Sequence, residues 1–256
     1  MKKNKTIAII GGLHGDERVG VEVIKKLKQS LDGVRKAGII ANKKALKKGI
    51  RFIDQDLNRT FPGRSNGNYE ERTAKRLLKR IKNFDYVLDL HSFSCNSPPF
   101  VILTKKTRKH LRLARATGVG RIVFMSPKLA FGKALIDHCC CGVSIEVGRH
   151  DLRSTLKKAM KYTKNVFDSL GFFKRKRRVV GKIEYFEIVN IFFKKGNEKL
   201  TKNVMNFKLV NKGQVFALKE RKKIIALYDF YPILAREKAY SNILCLVAKR
   251  VKIEGR

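Results

Sequence analysis

Short apolar runs alternate with longer stretches whose apolar residues recur every three to four positions. This alternation confines the first two thirds of the chain to a layered α/β arrangement. The run "TIAII" (6–10) reads as a buried strand, and "VGVEVIKKLKQSL" (19–31) sets Val19, Val23, Ile24, Leu27 and Leu31 at helical spacing. "AGIIAN" is a strand candidate, and "NYEERTAKRLLKRIKN" (68–83) is a helix that turns Leu77, Leu78 and Ile81 inward. "DYVLDLHSF", "PPFVILT", "RIVFM" and "CGVSIEVG" read as strands. "KHLRLARATG" and "LRSTLKKAMKYTKNVFDSLGFF" read as helices with glycine stops. The expected fold is α/β, with a mixed, largely parallel sheet flanked by helices.

After "KRKRR" (174–178) the texture changes. "KIEYFEIVNIFF", "NFKLVNKG", "QVFALKE", "KIIALYDFYPIL" and "SNILCLVAKRV" are strand-like, with "NKG" and "KKG" as turn signals. The expected division is a catalytic domain over residues 1–173 and a small, mostly β C-terminal domain over residues 174–256. No internal repeat is present, and the basic linker is the one biased tract.

The 256 residues carry 59 Lys+Arg against 21 Asp+Glu, a formal +38. Such a field attracts nucleic acid, anionic lipid or anionic substrates at low salt. The excess runs along the whole chain and forms no tail. "KRKRR" reads as a solvated linker before it reads as a phosphate site, and no RNA-recognition, zinc-finger or helix-turn-helix pattern accompanies it. Nucleic acid enters only as non-specific electrostatic binding. The five cysteines are odd in number, and Cys139, Cys140 and Cys141 are contiguous; this is no disulfide framework and points to a reducing cytoplasm. "MKKNKTIAIIGG" is too short in apolar residues for a signal peptide, and no segment approaches membrane-span length. The terminal "IEGR" matches a protease-tag sequence and carries no argument.

Because acids are scarce, their positions carry information. Asp16 and Glu17, Asp54 and Asp56, Asp89, and Glu146 each lie at the end of a strand candidate or in the loop beyond it. In an open α/β sheet, ligands bind outside the carboxyl ends of the strands. In "GGLHGDE" (11–17) a turn entering a helix can aim His14 and Glu17 at one point, and both are good zinc ligands. The glycines let the backbone bend sharply behind the strand. Alone this pair is a weak signal. In "DLH" (89–91), His91 closes a strand and would complete a set of two histidines and a glutamate with the fourth position open, the catalytic zinc pattern. Asp89 is a candidate orienter of a ligand imidazole, although successive strand positions look poorly placed to pair with each other. "RFIDQDLNRTFPG" (51–63) brings Arg51, Asn58 and Arg59 together as a receptor for a carboxylate, or else forms a solvated loop with Asx turns. In "SIEVG", Glu146 stands among apolar neighbours. It is either paired, or its surroundings raise its pKa so that it can act as a base.

These four stretches, in this order, resemble the succinylglutamate desuccinylase/aspartoacylase group of zinc carboxypeptidase-like hydrolases. "GGLHGDE" is similar to its first zinc motif, "DLNRTFPG" to its substrate-carboxylate motif, "DLH" to its third-ligand motif and "IEVG" to its catalytic-glutamate motif. The resemblance covers residues 5–175 well and the β-rich tail loosely, where "EKAY" (237–240) looks like the segment whose tyrosine reaches the active site. It implies one zinc ion held by His14, Glu17 and His91, with Glu146 as general base and acid. Arg51 would polarise the scissile carbonyl, Asn58 and Arg59 would grip the substrate carboxylate, and Tyr240 would donate a further hydrogen bond. The implied reaction is cleavage of the amide of a small anionic N-acyl amino acid. The rival expectations are a zinc carboxypeptidase acting on peptides and a basic nucleic-acid-binding protein with a vestigial site. One departure stands out. Aspartoacylases carry an additional arginine shortly before the catalytic glutamate that reads an acidic side chain. Here Ile136 takes the comparable place, with Lys133 and His138 nearby.

Overall fold

The structure is a computed structural model that describes residues 5–31, 35–130, 132–172 and 181–253. In chain order the elements are β1 (Ile7–Gly11), α1 (Val19–Lys26), α2 (Lys28–Leu31), β2 (Lys36–Ile40), α3 (Lys43–Lys48), α4 (Tyr69–Ile81), β3 (Tyr86–Phe93), β4 (Phe100–Leu103) and α5 (Arg108–Ala116). There follow β5 (Arg121–Phe124), β6 (Gly142–Arg149), α6 (Arg153–Leu170), β7 (Glu184–Phe193), β8 (Lys199–Leu200), β9 (Val215–Lys219), β10 (Lys222–Ile225), β11 (Tyr231–Ile233) and β12 (Ile243–Val251). The helical run after the first strand breaks at Leu27, which ends α1, so α1 and α2 are separate. "NFKLVNKG" forms no strand; Val210 makes a single bridge to Phe230. The "KRKRR" tract and the final Glu254–Arg256 lie outside the described residues.

A nine-stranded sheet runs β11-β12-β7-β5-β4-β6-β3-β1-β2. Strands β2, β1, β3 and β6 are mutually parallel, as are β4, β5 and β7, and β4 meets β6 antiparallel. Strands β7, β11 and β12, from beyond residue 180, complete this same sheet, while β8, β9 and β10 form a separate three-stranded one. The period-two alternation of β1 divides the interior. Ile7 and Ile9 join Val23, Leu88, Leu90, Val143, Ile145 and the α6 residues Val166 and Phe167 in one core. Ala8 and Ile10 join Leu57, Phe61, Leu77, Ile81 and Val87 in a second core under α4. Asn68 caps α4 through a capping box with Glu71, which fixes where the helix begins.

The chain leaves β1 to one side for β2 and returns on the other side for β3, so the carboxyl end of β1 is a topological switch point. Two glycines shape it. Gly12 adopts φ +65, a left-handed turn that L side chains disfavour. Gly11 packs against Gly20 of α1 so closely that an added Cβ would stand 2.4 Å from the Gly20 carbonyl carbon. The backbone can therefore turn at once into the loop that carries His14 and Glu17.

Candidate metal and substrate site

His14 and Glu17 occupy the turn between β1 and α1, and both are buried. His91 is brought to them by β3, which pairs in parallel with β1. His14 Nδ1 lies 2.7 Å from Glu17 Oε1, and His91 Nδ1 lies 2.9 Å from Glu17 Oε2. The three residues offer ligand atoms within 4.8 Å of one another, the one such group of His, Cys, Asp or Glu among the described residues. The other ring nitrogens are held by carboxylates: His14 Nε2 by Asp56 at 3.0 Å, and His91 Nε2 by Asp89 at 2.7 Å. A carboxylate behind each imidazole fixes its orientation and raises its basicity, the usual surroundings of a metal-bound histidine. The donor set thus fits a zinc ion, with both Nδ1 atoms facing the same carboxylate.

Asp89 pairs with His91 after all. The two are separated by one residue, so strand alternation puts them on the same face, while Leu88 and Leu90 point into the opposite core. Register continues the row: Asp89 lies opposite Ser144 of β6, and His91 opposite Glu146. Ser144 Oγ donates to Asp89 at 3.1 Å. Glu146 therefore sits one strand away from His91, lining the same cavity.

Electrostatics follow from this packing. Burial pushes Glu17 upward, but His14 and His91 outweigh it and hold the carboxyl well below the usual range. Burial alone would lower His91; Asp89 and Glu17 raise it well above its ordinary value. Glu146 goes the other way. Burial pushes it up to about 8, partly offset by His91, and its Oε2 is buried with no hydrogen-bond partner.

The loop after α3 supplies the cations. Glu70, fully buried at the start of α4, accepts from the backbone N–H groups of Ile53 (2.8 Å) and Asp54 (3.0 Å) and from the Asn42 amide (3.0 Å). That fixes the course of residues 51–57. Asp56 then caps the short helical turn Leu57–Arg59. Arg51 reaches Glu17 at 3.0 Å and Asp56 at 3.2 Å, so it lies directly behind the ligand set. Asn58 Oδ1 accepts from Leu135 N at 2.9 Å, and Arg59 donates to the Asn58 carbonyl at 2.9 Å. The structure brings Asn58 and Arg59 to the cavity wall, along with Arg51.

Tyr240 arrives from the C-terminal part of the chain. Its ring lies 5.9 Å from the Arg51 guanidinium, and burial raises its phenol pKa. Glu237 anchors this segment: it accepts from Ser94 Oγ at 2.7 Å, Ser94 N at 2.9 Å and Cys95 N at 3.1 Å, in the loop that follows β3. Sequence reasoning gave no role to Glu237, Glu70 or Ser144, and left Asp56 without a partner. Their partners lie far away along the chain, and only the scarcity of acids drew attention to Asp56. Ile136 lines the cavity, while Lys133 and His138 are exposed, His138 engaging the Gly132 carbonyl. A second, more open hollow between α1 and α6 is edged by Lys26, Arg153, Lys157 and Lys161; it holds none of these ligands. No helix of the described residues is long and apolar enough to cross a membrane.

Comparison with known proteins agrees with this geometry. A "Probable aspartoacylase" of Nostoc sp. is 36% identical over 118 residues, covering 40% of this chain and 40% of that protein. An "N-acyl-aromatic-L-amino acid amidohydrolase (carboxylate-forming)" of Xenopus laevis is 27% identical over 124 residues, covering 42% and 41%. The matched stretch thus spans about two fifths of these relatives' length. The crystal structure of murine aminoacylase 3 superposes with a TM-score of 0.81 at 18% identity, covering 99% of this chain and 97% of that one, which is a likeness of fold. The succinylglutamate desuccinylase/aspartoacylase catalytic domain matches residues 3–170, and the chain belongs to that family.

Proposed function

We propose that this protein is a zinc-dependent amidohydrolase that cleaves the amide of a small anionic N-acyl amino acid. The observation that carries the reading is a single cavity wall. It presents the His14–Glu17–His91 donor set, each imidazole backed by a carboxylate, beside the unpartnered Glu146 carboxyl. Zinc held by these three residues would supply Lewis acidity and make an attacking water acidic near neutral pH. Glu146 takes the water proton and later passes it to the leaving amine, a task suited to a carboxyl whose pKa lies near the working pH. Arg51 lies beside Glu17, where its guanidinium stabilises negative charge developing on the carbonyl oxygen. Asn58 and Arg59 hold the substrate carboxylate, and Tyr240 closes over it with its phenol as donor. The products are a carboxylic acid and an amino acid.

The five free cysteines support a cytoplasmic setting. The formal +38 draws anionic substrates toward the site, and binds nucleic acid only through non-specific electrostatics. The test is Glu146→Ala, assayed with a panel of N-acyl amino acids while bound zinc is measured. Turnover should fall by at least about a hundredfold with zinc still near one per chain. Turnover close to that of the unaltered protein removes Glu146 from the mechanism, and failure to bind zinc at all removes the whole reading.

A further inference from the structure

The cavity has two unlike halves. One half is the polar wall just described. The other is made mainly by Ile102, Met125, Leu129, Ile136, Ile191 and Leu246, with only the neutral hydroxyls of Thr104 and Ser126 interspersed. Sheet register explains why they converge. Ile102 of β4 lies opposite Ser144, one row along from the pairing of Glu146 with Phe100. Ile191 and Leu246 are direct partners across β7 and β12. Ala134 and Ile136 pack against Ile102 from the loop before β6. The recess therefore begins immediately beside the candidate base and ends in the hydrophobic cluster around Phe93, Phe100 and Phe186.

The cations decide what this recess can accept. Among the described residues that line the cavity, Arg51 and Arg59 are the only ones with a permanent positive charge. Arg51 already pairs with Glu17 and Asp56, and the proposed mechanism assigns what remains of its charge to the carbonyl oxygen. Arg59 donates once, to the Asn58 carbonyl, which leaves most of its fork for one substrate carboxylate. Lys133 is exposed and does not line the cavity. A second carboxylate pushed into the recess would be desolvated without a cationic partner, which is unfavourable. An aliphatic or aromatic group would exchange water for apolar contacts there.

Building on the amidohydrolase reading, we propose that the recess beside Glu146 selects N-acyl amino acids that present an uncharged apolar group and rejects those with a second carboxylate. Ile102 and Ile136 act as its specificity-determining walls. The apolar group can come from the amino-acid side chain or from the acyl chain; the test separates the two.

Equilibrium binding is measured by calorimetry on zinc-loaded Glu146→Gln, which preserves the shape of the site while suppressing turnover. The ligands are N-acetyl-leucine, N-acetylphenylalanine, N-hexanoylglycine, N-acetylaspartate and N-succinylglutamate. At least one apolar ligand should bind at least about tenfold more tightly than either acidic one. N-acetyl-leucine ahead of N-hexanoylglycine assigns the recess to the side chain, and the reverse order assigns it to the acyl group. Equal or tighter binding of N-acetylaspartate or N-succinylglutamate overturns the proposal, as does no measurable binding of any apolar ligand. Ile136→Arg, if folded by circular dichroism, should move the preference about tenfold or more toward N-acetylaspartate; the ligand panel decides the matter if that variant does not fold. Hydrolysis by the unaltered protein is followed separately. Preferential apolar binding without hydrolysis would refute the amidohydrolase reading and leave the selectivity of the recess standing.

Discussion

Asp89 is the most informative place to perturb the candidate metal site, because it pairs with His91 from a fully buried position and does not itself line the cavity. It is completely buried on β3, accepts from His91 Nε2 at 2.7 Å and from Ser144 Oγ at 3.1 Å, and its second oxygen has no partner. A hydrogen bond to a charged acceptor contributes about 1.5–3 kcal/mol net. Asp89→Asn keeps an oxygen that can accept from His91 but removes the charge, which forfeits about half of that strength. The expected loss of zinc affinity is then about 0.8–1.5 kcal/mol, or roughly four- to twelvefold. Asp89→Ala removes the acceptor altogether, and the expected loss rises toward about a hundredfold, the upper range for partners of metal-bound histidines. Zinc affinity is read by competition with a chromogenic chelator at neutral pH, on variants whose circular dichroism matches the parent. Ser144→Ala should shift the affinity much less than Asp89→Asn, because Ser144 hydrogen-bonds to Asp89 and not to His91. A zinc Kd for Asp89→Ala within about twofold of the parent would refute the claim that this carboxylate orients a ligand.

Other consequences can be measured independently. Glu237→Gln weakens the anchor on Ser94 and Cys95, so KM for an N-acyl amino acid should rise about tenfold with zinc affinity unchanged; an unchanged KM disconnects the anchor from Tyr240. Gly11→Ala forces a methyl to 2.4 Å from the α1 backbone and should cost about 1–3 kcal/mol or more by urea unfolding. In the metal-free protein His91 is held above its ordinary 6.5, so its stabilising contribution is complete below pH 6.5 and is lost as pH rises through its folded value. Glu146 acts in the same sense. With its pKa raised from 4.5 to about 8, the folded state holds the extra proton across that interval and stability falls as pH rises through it. Urea midpoints of the metal-free chain should therefore decline from pH 5 toward pH 8, and less steeply in Glu146→Gln; a flat profile contradicts both assignments.

Much of the candidate site is legible because its polar groups fall at or beyond the ends of strand runs. "TIAII" and "YVLDL" are unmistakable buried runs, and polar residues immediately beyond them, His14, Glu17 and His91, stand out against that background. Parallel pairing of β1 with β3 and of β3 with β6 then brings distant segments together. The Asp89–His91 contact was misjudged at the sequence level, since residues two apart on a strand share a face. Less legible were contacts whose partners lie far apart, such as Glu237 with Ser94 across 143 positions. The break at Leu27 was hidden as well, because the apolar spacing continues across it and only the backbone reveals the cap. Strands β7, β11 and β12 read individually as β-rich chain, but nothing local to them specifies that they extend the main sheet.

The acids gathered at this site would let a protein of formal +38 hold a cation there. Glu17, Asp56 and Asp89 converge on two imidazoles and one guanidinium, all in a region largely removed from water. Without a metal, the neighbouring carboxylates Glu17, Asp56 and Asp89 outweigh burial and raise both His14 and His91. Metal binding requires a free Nδ1 on each ring, so protons are released as the metal enters and affinity must fall as pH drops. The carboxylates that raise the histidines therefore impose a proton cost on metal entry and repay it by orienting the ligands and neutralising the ion. Beyond this cluster the surface is basic and the far half of the cavity is apolar. Under the proposed function, the same cavity would retain a cation at one end, draw in an anion toward Arg59, and leave an uncharged recess for the rest of the substrate.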